Sequence, residues 1–220
     1  MTKLKICGLK EIDNVLTAID SNVDYLGFIF VPNSKRQITS QKAKNIIQNI
    51  KLQRPNLNQK FVAVFANQTT EEISNIISDC DFDMAQLCGN ENESFWSEVP
   101  TTIIKQIKID DSVPLNKFLN KVEPEIEKIN KNGHLALLDK KIKGIQGGGG
   151  EKFNWEIAKI LTKNHEFILA GGLTPKNIKS AITSVKPWGV DVSSGVETNN
   201  SKDNNKISDF SKIVHSTKNL

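Results

Sequence analysis

The chain has 220 residues, of which 38% are hydrophobic and 25% charged, with a formal net charge of +4; this suffices for one substantial core and matches an ordinary globular protein. No apolar run nears the ~18 residues of a membrane span, and the opening Met1-Thr2-Lys3-Leu4-Lys5-Ile6-Cys7-Gly8 breaks too early for a signal peptide, so neither membrane insertion nor secretion is expected. Lysines lie scattered among acids, which excludes a nucleic-acid stripe and favours small anions, and the spacing of Cys7, Cys80 and Cys88 supports neither a disulfide framework nor a zinc site; a reducing, cytoplasmic setting is expected.

The first β-rich run covers residues 4–7 and closes on Cys7-Gly8. Strand alternation puts Lys5 and Cys7 on one face, where the ammonium is expected to lower the thiol below its reference of ~8.5 and make Cys7 a thiolate base at neutral pH. The structural alternatives are a small buried apolar cysteine and a surface lysine. The second run, 25–30, leads into Pro32-Asn33-Ser34-Lys35-Arg36, whose guanidinium suits a two-point grip on a carboxylate unless it is merely solvated. Apolar residues at threefold and fourfold spacing predict helices over 40–51 and 70–78, the latter with Thr70 as polar cap, around a third run at 61–65.

The fourth run, 84–87, is followed by Cys88, and the fifth covers 103–109. The sixth, 135–139, ends on Asp139 as the chain leaves the apolar interior. Partial burial there raises a carboxyl pKa and favours the protonated form that a general acid needs; a helix N-cap is the alternative. Gly147, Gly148, Gly149 and Gly150 precede a helix over 155–163; the seventh run, 167–170, is followed by Gly171 and Gly172; a helix over 174–184 starts at Thr174; and the eighth run, 190–193, leads into Ser194 and Gly195. Asp191 lies inside that last run, where an acid is either paired or set to bind a substrate hydroxyl or amine. His134, His165 and His215 fall before strands or near the C-terminus and read as surface or structural, and Trp96, Trp155 and Trp188 read as packing residues.

Strands alternating with helices imply parallel pairing through right-handed crossovers, and eight such units in this length predict an α/β fold: a single-domain (β/α)₈ TIM barrel spanning residues 1–220. A doubly wound open sheet is the other architecture, but no GxGxxG turn follows the first run. In a barrel the site is built where strands end. There the three glycine-bearing turns let backbone amides approach an anion, which predicts a phosphorylated small-molecule substrate. No Gly-Lys-Ser/Thr ending marks a nucleotide P-loop, and no ligand spacing marks a metal, so neither cofactor nor metal is expected.

These residues, taken in order, resemble the phosphoribosylanthranilate isomerase family of tryptophan biosynthesis. The likeness runs through Lys5-Ile6-Cys7-Gly8, Gly27-Phe28-Ile29-Phe30, Ser34 and Arg36, Val62-Ala63-Val64-Phe65, Gln86-Leu87, Leu138-Asp139, Gly147 to Trp155, Leu169-Ala170-Gly171-Gly172-Leu173, Gly189-Val190-Asp191-Val192-Ser193-Ser194-Gly195-Val196-Glu197 and Lys202-Asp203. The resemblance implies an aldose–ketose isomerase that performs an Amadori rearrangement without a cofactor, acting as monomer or homodimer. Within it Asp139 matches the general acid that opens the furanose ring, Cys7 the base that takes the C2 proton, Arg36 the residue near the anthranilate carboxylate, and Asp191 the acid touching substrate at the mouth. Phosphate is expected on Gly147, Gly148, Gly149, Gly171, Gly172, Ser193, Ser194 and Gly195.

Two positions depart from the family pattern. Cys88 stands where the family usually has histidine after Gln-Leu; with acid and base retained, activity is still expected. Asn200 stands where the family often has glycine, and asparagine tolerates the positive φ that such a turn demands. The related histidine-pathway isomerase, which uses two aspartates, is disfavoured by Cys7. A non-catalytic phosphosugar-binding barrel is the reading of a different class.

Overall fold

A computed structural model of the chain describes residues 1–110, 113–140 and 155–217. Eight parallel strands close into a barrel in chain order: β1 (Lys3–Cys7), β2 (Tyr25–Ile29), β3 (Lys60–Phe65), β4 (Met84–Leu87), β5 (Thr102–Ile109), β6 (Leu135–Lys140), β7 (Phe167–Leu169) and β8 (Gly189–Val192). All eight expected runs fall on these strands. The open-sheet alternative fails because β8 pairs back onto β1, with Lys5 beside Asp191. Helices α1 (Ile12–Asp20), α2 (Ser40–Gln53), α3 (Thr70–Cys80), α4 (Glu93–Trp96), α5 (Leu115–Lys131), α6 (Trp155–Leu161), α7 (Ile178–Val185) and α8 (Asn204–Ser216) follow the strands in turn. Among the described residues no helix is long and apolar enough to cross a membrane.

Two helix starts differ from expectation. The cap of α3 is Thr69, not Thr70: Thr69 is extended, its hydroxyl accepts the Glu72 N–H, and the Glu72 carboxylate accepts the Thr69 N–H in return. This reciprocal arrangement satisfies two otherwise orphaned donors, which Thr70 is one residue too late to do. Thr174 begins a turn instead of a helix. Its carbonyl accepts from the Asn177 and Ile178 amides while Asn177 Oδ1 accepts its N–H, and α7 begins at Ile178.

Side-chain alternation divides each strand between two destinations. One set, with Leu4, Ile6, Leu26, Phe28, Phe61, Ala63, Phe65, Ala85 and Leu87, joins the core between barrel and helices. The other set faces the barrel axis. At the N-terminal end it is apolar: Val62, Met84, Ile104, Leu137 and Ile168 pack together, closed off by Tyr25 and Trp188, whose ring centroids lie 6.2 Å apart. One or two inward positions further along, the same faces turn polar, carrying Cys7, Gln86, Gln106, Asp139 and Asp191 into one cavity. The plug keeps solvent out of one end, and the reactive groups collect at the other.

After β8 a 3₁₀ turn (Ser194–Val196) leads to a short antiparallel hairpin of β9 (Glu197–Thr198) and β10 (Ser201–Lys202). Its two turn residues, Asn199 and Asn200, have φ of 51° and 62°. Positive φ at both positions is the mark of a type I′ turn, whose twist suits paired strands, and asparagine enters that region more readily than other non-glycine residues. Asn200 therefore holds the turn where the family often has glycine.

Candidate active site

The site begins with the two inward side chains of β1. Lys5 is shut from solvent and its Nζ lies 3.1 Å from Asp191 Oδ1 on the adjoining strand. Room for it comes from Gly27 on β2, where a Cβ would lie 3.1 Å from Lys5 Nζ and 3.2 Å from Cys7 Sγ. Burial opposes the charge on Lys5, but the Asp191 carboxylate and the Cys7 thiol outweigh it and hold its pKa above the usual lysine range. Cys7, also buried, follows the opposite balance. Desolvation pushes the thiol pKa up, with Asp191 adding to the rise, and the neighbouring ammonium only partly offsets this. The expected resting thiolate is thus corrected to a neutral thiol, because desolvation, with the Asp191 carboxylate adding to it, outweighs the Lys5 charge.

Gly8 has a φ of 83°, and the Arg36 side chain passes over it so closely that a Cβ would lie 2.7 Å from Arg36 Cδ. Arg36 is held in place by Glu197, whose two carboxylate oxygens accept from Nε at 2.6 Å and Nη2 at 2.8 Å. Lys202 Nζ donates to the same carboxylate at 2.6 Å and to the Ser193 carbonyl at 2.9 Å. Although burial disfavours its charge, the Arg36 and Lys202 cations hold Glu197 below the usual carboxylate range. The β9–β10 hairpin therefore delivers Glu197, which fixes Arg36 at the cavity edge, and Lys202, which holds Glu197 in turn. Neither Glu197 nor Lys202 was singled out from sequence beyond the family motif, because strands of two residues show no alternation to read.

Across the cavity, Asp139 ends the inward face of β6. Its Oδ2 accepts from Gln106 Nε2 and its Oδ1 from the Lys140 N–H, both at 2.8 Å. Burial, with Asp191 adding to it, pushes its pKa up to about 6 despite those two donors. The upward shift is the one expected, but at about 6 the carboxyl is mostly ionised at pH 7, so the protonated form expected at neutrality is the minor one. Cys88, partly buried at the end of β4, accepts from Gln86 Nε2 at 3.3 Å, and burial pushes its thiol up to about 12. Its turn is pinned by Glu91, which accepts from the Asn67 and Gly89 amides and from the buried Lys105.

The turns after β7 and β8 meet at the remaining side. Gly171 and Gly172 have φ of 90° and 66°, a region open to glycine, and Asn177 Nδ2 donates to the Gly172 carbonyl at 2.8 Å. Gly195 is required by contact: a Cβ there would lie 1.8 Å from the Leu173 carbonyl oxygen. Ser193 Oγ donates to the Cys7 carbonyl at 3.0 Å, tying this turn to β1. Cys7, Arg36, Asp139, Gly171, Gly172, Asp191, Ser193, Ser194 and Gly195 all line the one cavity. Gly147, Gly148 and Gly149 lie outside the described residues.

The histidines and tryptophans stand apart from this cavity: Trp96 donates to the Glu91 carbonyl and meets the His134 ring edge-on, Trp188 helps plug the barrel floor, and His215 bonds the Asn22 carbonyl. Among the described residues no group of three or more His, Cys, Asp or Glu side chains is placed to hold a metal ion.

Residues 4–213 match the family described as N-(5'phosphoribosyl)anthranilate (PRA) isomerase. A relative from Roseiflexus castenholzii, an N-(5'-phosphoribosyl)anthranilate isomerase, is 40% identical over 211 residues, covering 94% of this chain and 95% of its own. The solved phosphoribosyl anthranilate isomerase of Thermotoga maritima superposes with a TM-score of 0.83 at 29% identity, over 98% of this chain and 100% of that one. A further solved isomerase, in complex with reduced 1-(o-carboxyphenylamino)-1-deoxyribulose 5-phosphate, gives 0.78 at 28% identity over 98% and 100%. The cavity that gathers a thiol, a carboxylic acid and glycine turns at the open end of this barrel thus sits in a chain that belongs to the N-(5'-phosphoribosyl)anthranilate isomerase family.

Proposed function

We propose that Cys7 and Asp139 carry out the isomerisation as base and acid, with residues 1–220 acting as one catalytic domain and needing no cofactor. The observation that supports this is their shared cavity: both line it, together with Arg36, Asp191 and the turns after β7 and β8. Asp139 gives its proton to the furanose ring oxygen; the C1–O bond breaks, and the anilino nitrogen lone pair forms the C1=N bond of a cationic Schiff base. That cation favours ionisation of Cys7, whose thiol proton passes through solvent to the carboxylate left on Asp139; the thiolate then removes the acidified C2 proton, regaining the thiol and leaving an enolamine. The C2 hydroxyl then loses its proton as C1 gains one, giving the ketone with both groups restored. A thiol that is neutral at rest suits this order, because the positive charge that stabilises a thiolate arises only after ring opening.

In this reading Arg36 faces the anthranilate carboxylate, oriented by Glu197. Asp191, paired with Lys5, accepts from a substrate hydroxyl or amine. Phosphate rests on Gly171, Gly172, Ser193, Ser194 and Gly195, with 147–149 from the β6–α6 connection. The ligand of the solved relative, a carboxyphenylamino-deoxyribulose phosphate, carries the carboxylate, amine, hydroxyls and phosphate that these groups would meet. The test is fluorescence-monitored consumption of enzymatically generated phosphoribosylanthranilate by the native protein, Cys7→Ala and Asp139→Asn. Turnover in the native protein with losses of at least ~100-fold in each variant is expected; near-native rates in either variant would remove that residue from its role.

A further inference from the structure

Gln106 lies on the inward face of β5, 7% exposed, and lines the cavity. Its Nε2 donates to Asp139 Oδ2 at 2.8 Å, while its own Oε1 is buried with no hydrogen-bond partner among the described residues. A buried carbonyl oxygen left unsatisfied is costly, so this amide bonds with one end and leaves the other wanting a donor. Asp139 offers that donor in the state a general acid must occupy, since a neutral carboxyl carries one O–H. An amide N–H facing that O–H would set donor against donor. A half-turn about the last side-chain bond replaces Nε2 by Oε1 in nearly the same space and resolves the conflict.

We propose that Gln106 is a positioning residue for the acid, its amide turning end for end so that Oε1 accepts from protonated Asp139 and Nε2 donates to the carboxylate left behind. The inference rests on Asp139 being the acid. One bond keeps the acidic proton on Oδ2, directed at Oε1 until substrate enters and the O–H turns to the ring oxygen; the other stabilises the anion once that proton has passed. Of the charged groups around Asp139, Asp191 on β8 raises its pKa and Lys108 on β5, its register neighbour, lowers it. Replacing Gln106 leaves both in place, so a change in Asp139 titration reports on the amide.

The test is the pH profile of kcat/KM for the native protein, Gln106→Leu, Gln106→Glu and Asp139→Asn, with the Asp139 carboxyl followed by ¹³C NMR in the first three. In Gln106→Leu both states of Asp139 lose a bond, the carboxylate losing the stronger, charge-assisted one, so the loss of activity at rising pH moves upward by about one unit and the NMR titration moves with it. The plateau falls by about tenfold to a hundredfold as the acid loses its orientation. Gln106→Glu, whose neutral form keeps one donor and one acceptor, restores most of the rate at low pH and loses it as its carboxyl ionises. Should the limb and the NMR titration stay put in both variants, the role of Gln106 is overturned while the acid stands, provided Asp139→Asn is inactive. Turnover surviving in Asp139→Asn would instead overturn the acid assignment, and this inference with it.

Discussion

Lys5, two residues before Cys7 on the same face of β1, and Asp191 on the adjoining β8 stand with ammonium and carboxylate 3.1 Å apart, the lysine shut from solvent and the aspartate buried at the cavity wall. Removing one member of a buried pair strands the other charge, so Lys5→Met is expected to destabilise the fold by about 3–5 kcal/mol. Lys5→Met combined with Asp191→Leu, which leaves no charge behind, should recover much of that loss. Denaturant unfolding of the three proteins measures this. A single variant within ~1 kcal/mol of the native protein would mean that solvent reaches Asp191.

Asp139 couples catalysis to stability with a definite sign. Its pKa rises from 3.8 to about 6 on folding, so between those values the folded state binds more protons and stability falls as pH rises through the window. The loss amounts to about 3 kcal/mol and is complete above pH ~7. Asp139→Asn, which cannot ionise, should therefore be more stable than the native protein at pH 8 by up to that amount and lose the advantage below pH 4, while being nearly inactive. Thermal unfolding at the two pH values checks it; equal stability at both would show that the carboxyl is solvated in solution.

Cys88 titrates near 12 and its Sγ accepts from Gln86, which leaves it no proton to exchange near neutrality. Cys88→Ala should hold kcat within about threefold of native, since the cost is a lost contact and not a lost chemical step. A fall of ~100-fold in kcat would assign the thiol a direct part. Slow alkylation of all three cysteines at pH 7, speeding as pH rises, is the companion expectation, because burial raises each thiol.

Gly195→Ala puts a methyl where the Leu173 carbonyl oxygen stands 1.8 Å away. The turns after β7 and β8 must then part, at a cost of about 1–3 kcal/mol. Because these are the turns assigned to phosphate, KM should rise at least tenfold with a smaller change in kcat. An unchanged KM would place the phosphate elsewhere.

The strands were legible because a parallel barrel strand, buried on both faces, is an unbroken apolar run, and Cys7 and Asp139 stood out as reactive groups closing such runs. What one-dimensional reading could not weigh was competition. Lys5 beside Cys7 promised a thiolate, yet desolvation outweighs that ammonium, with the rise increased by Asp191, brought alongside only by barrel closure from the far end of the chain. Gln106 was passed over because Lys105 and Gln106 adjoin in one apolar run. Alternation sends Lys105 outward to Glu91 and Gln106 inward to Asp139, and only the location of the axis tells which is which.

That alternation also limits how such a chain can vary in length. Each barrel strand delivers Phe, Leu and Ile to the helices and Cys7, Gln106 or Asp139 to the mouth by parity alone. A single residue inserted or deleted inside a strand would exchange the two audiences for everything beyond it in that strand, burying acids under helices and turning phenylalanines into the cavity. Drift in residue number is therefore tolerable only in the connections, and the frame of each strand is inherited whole.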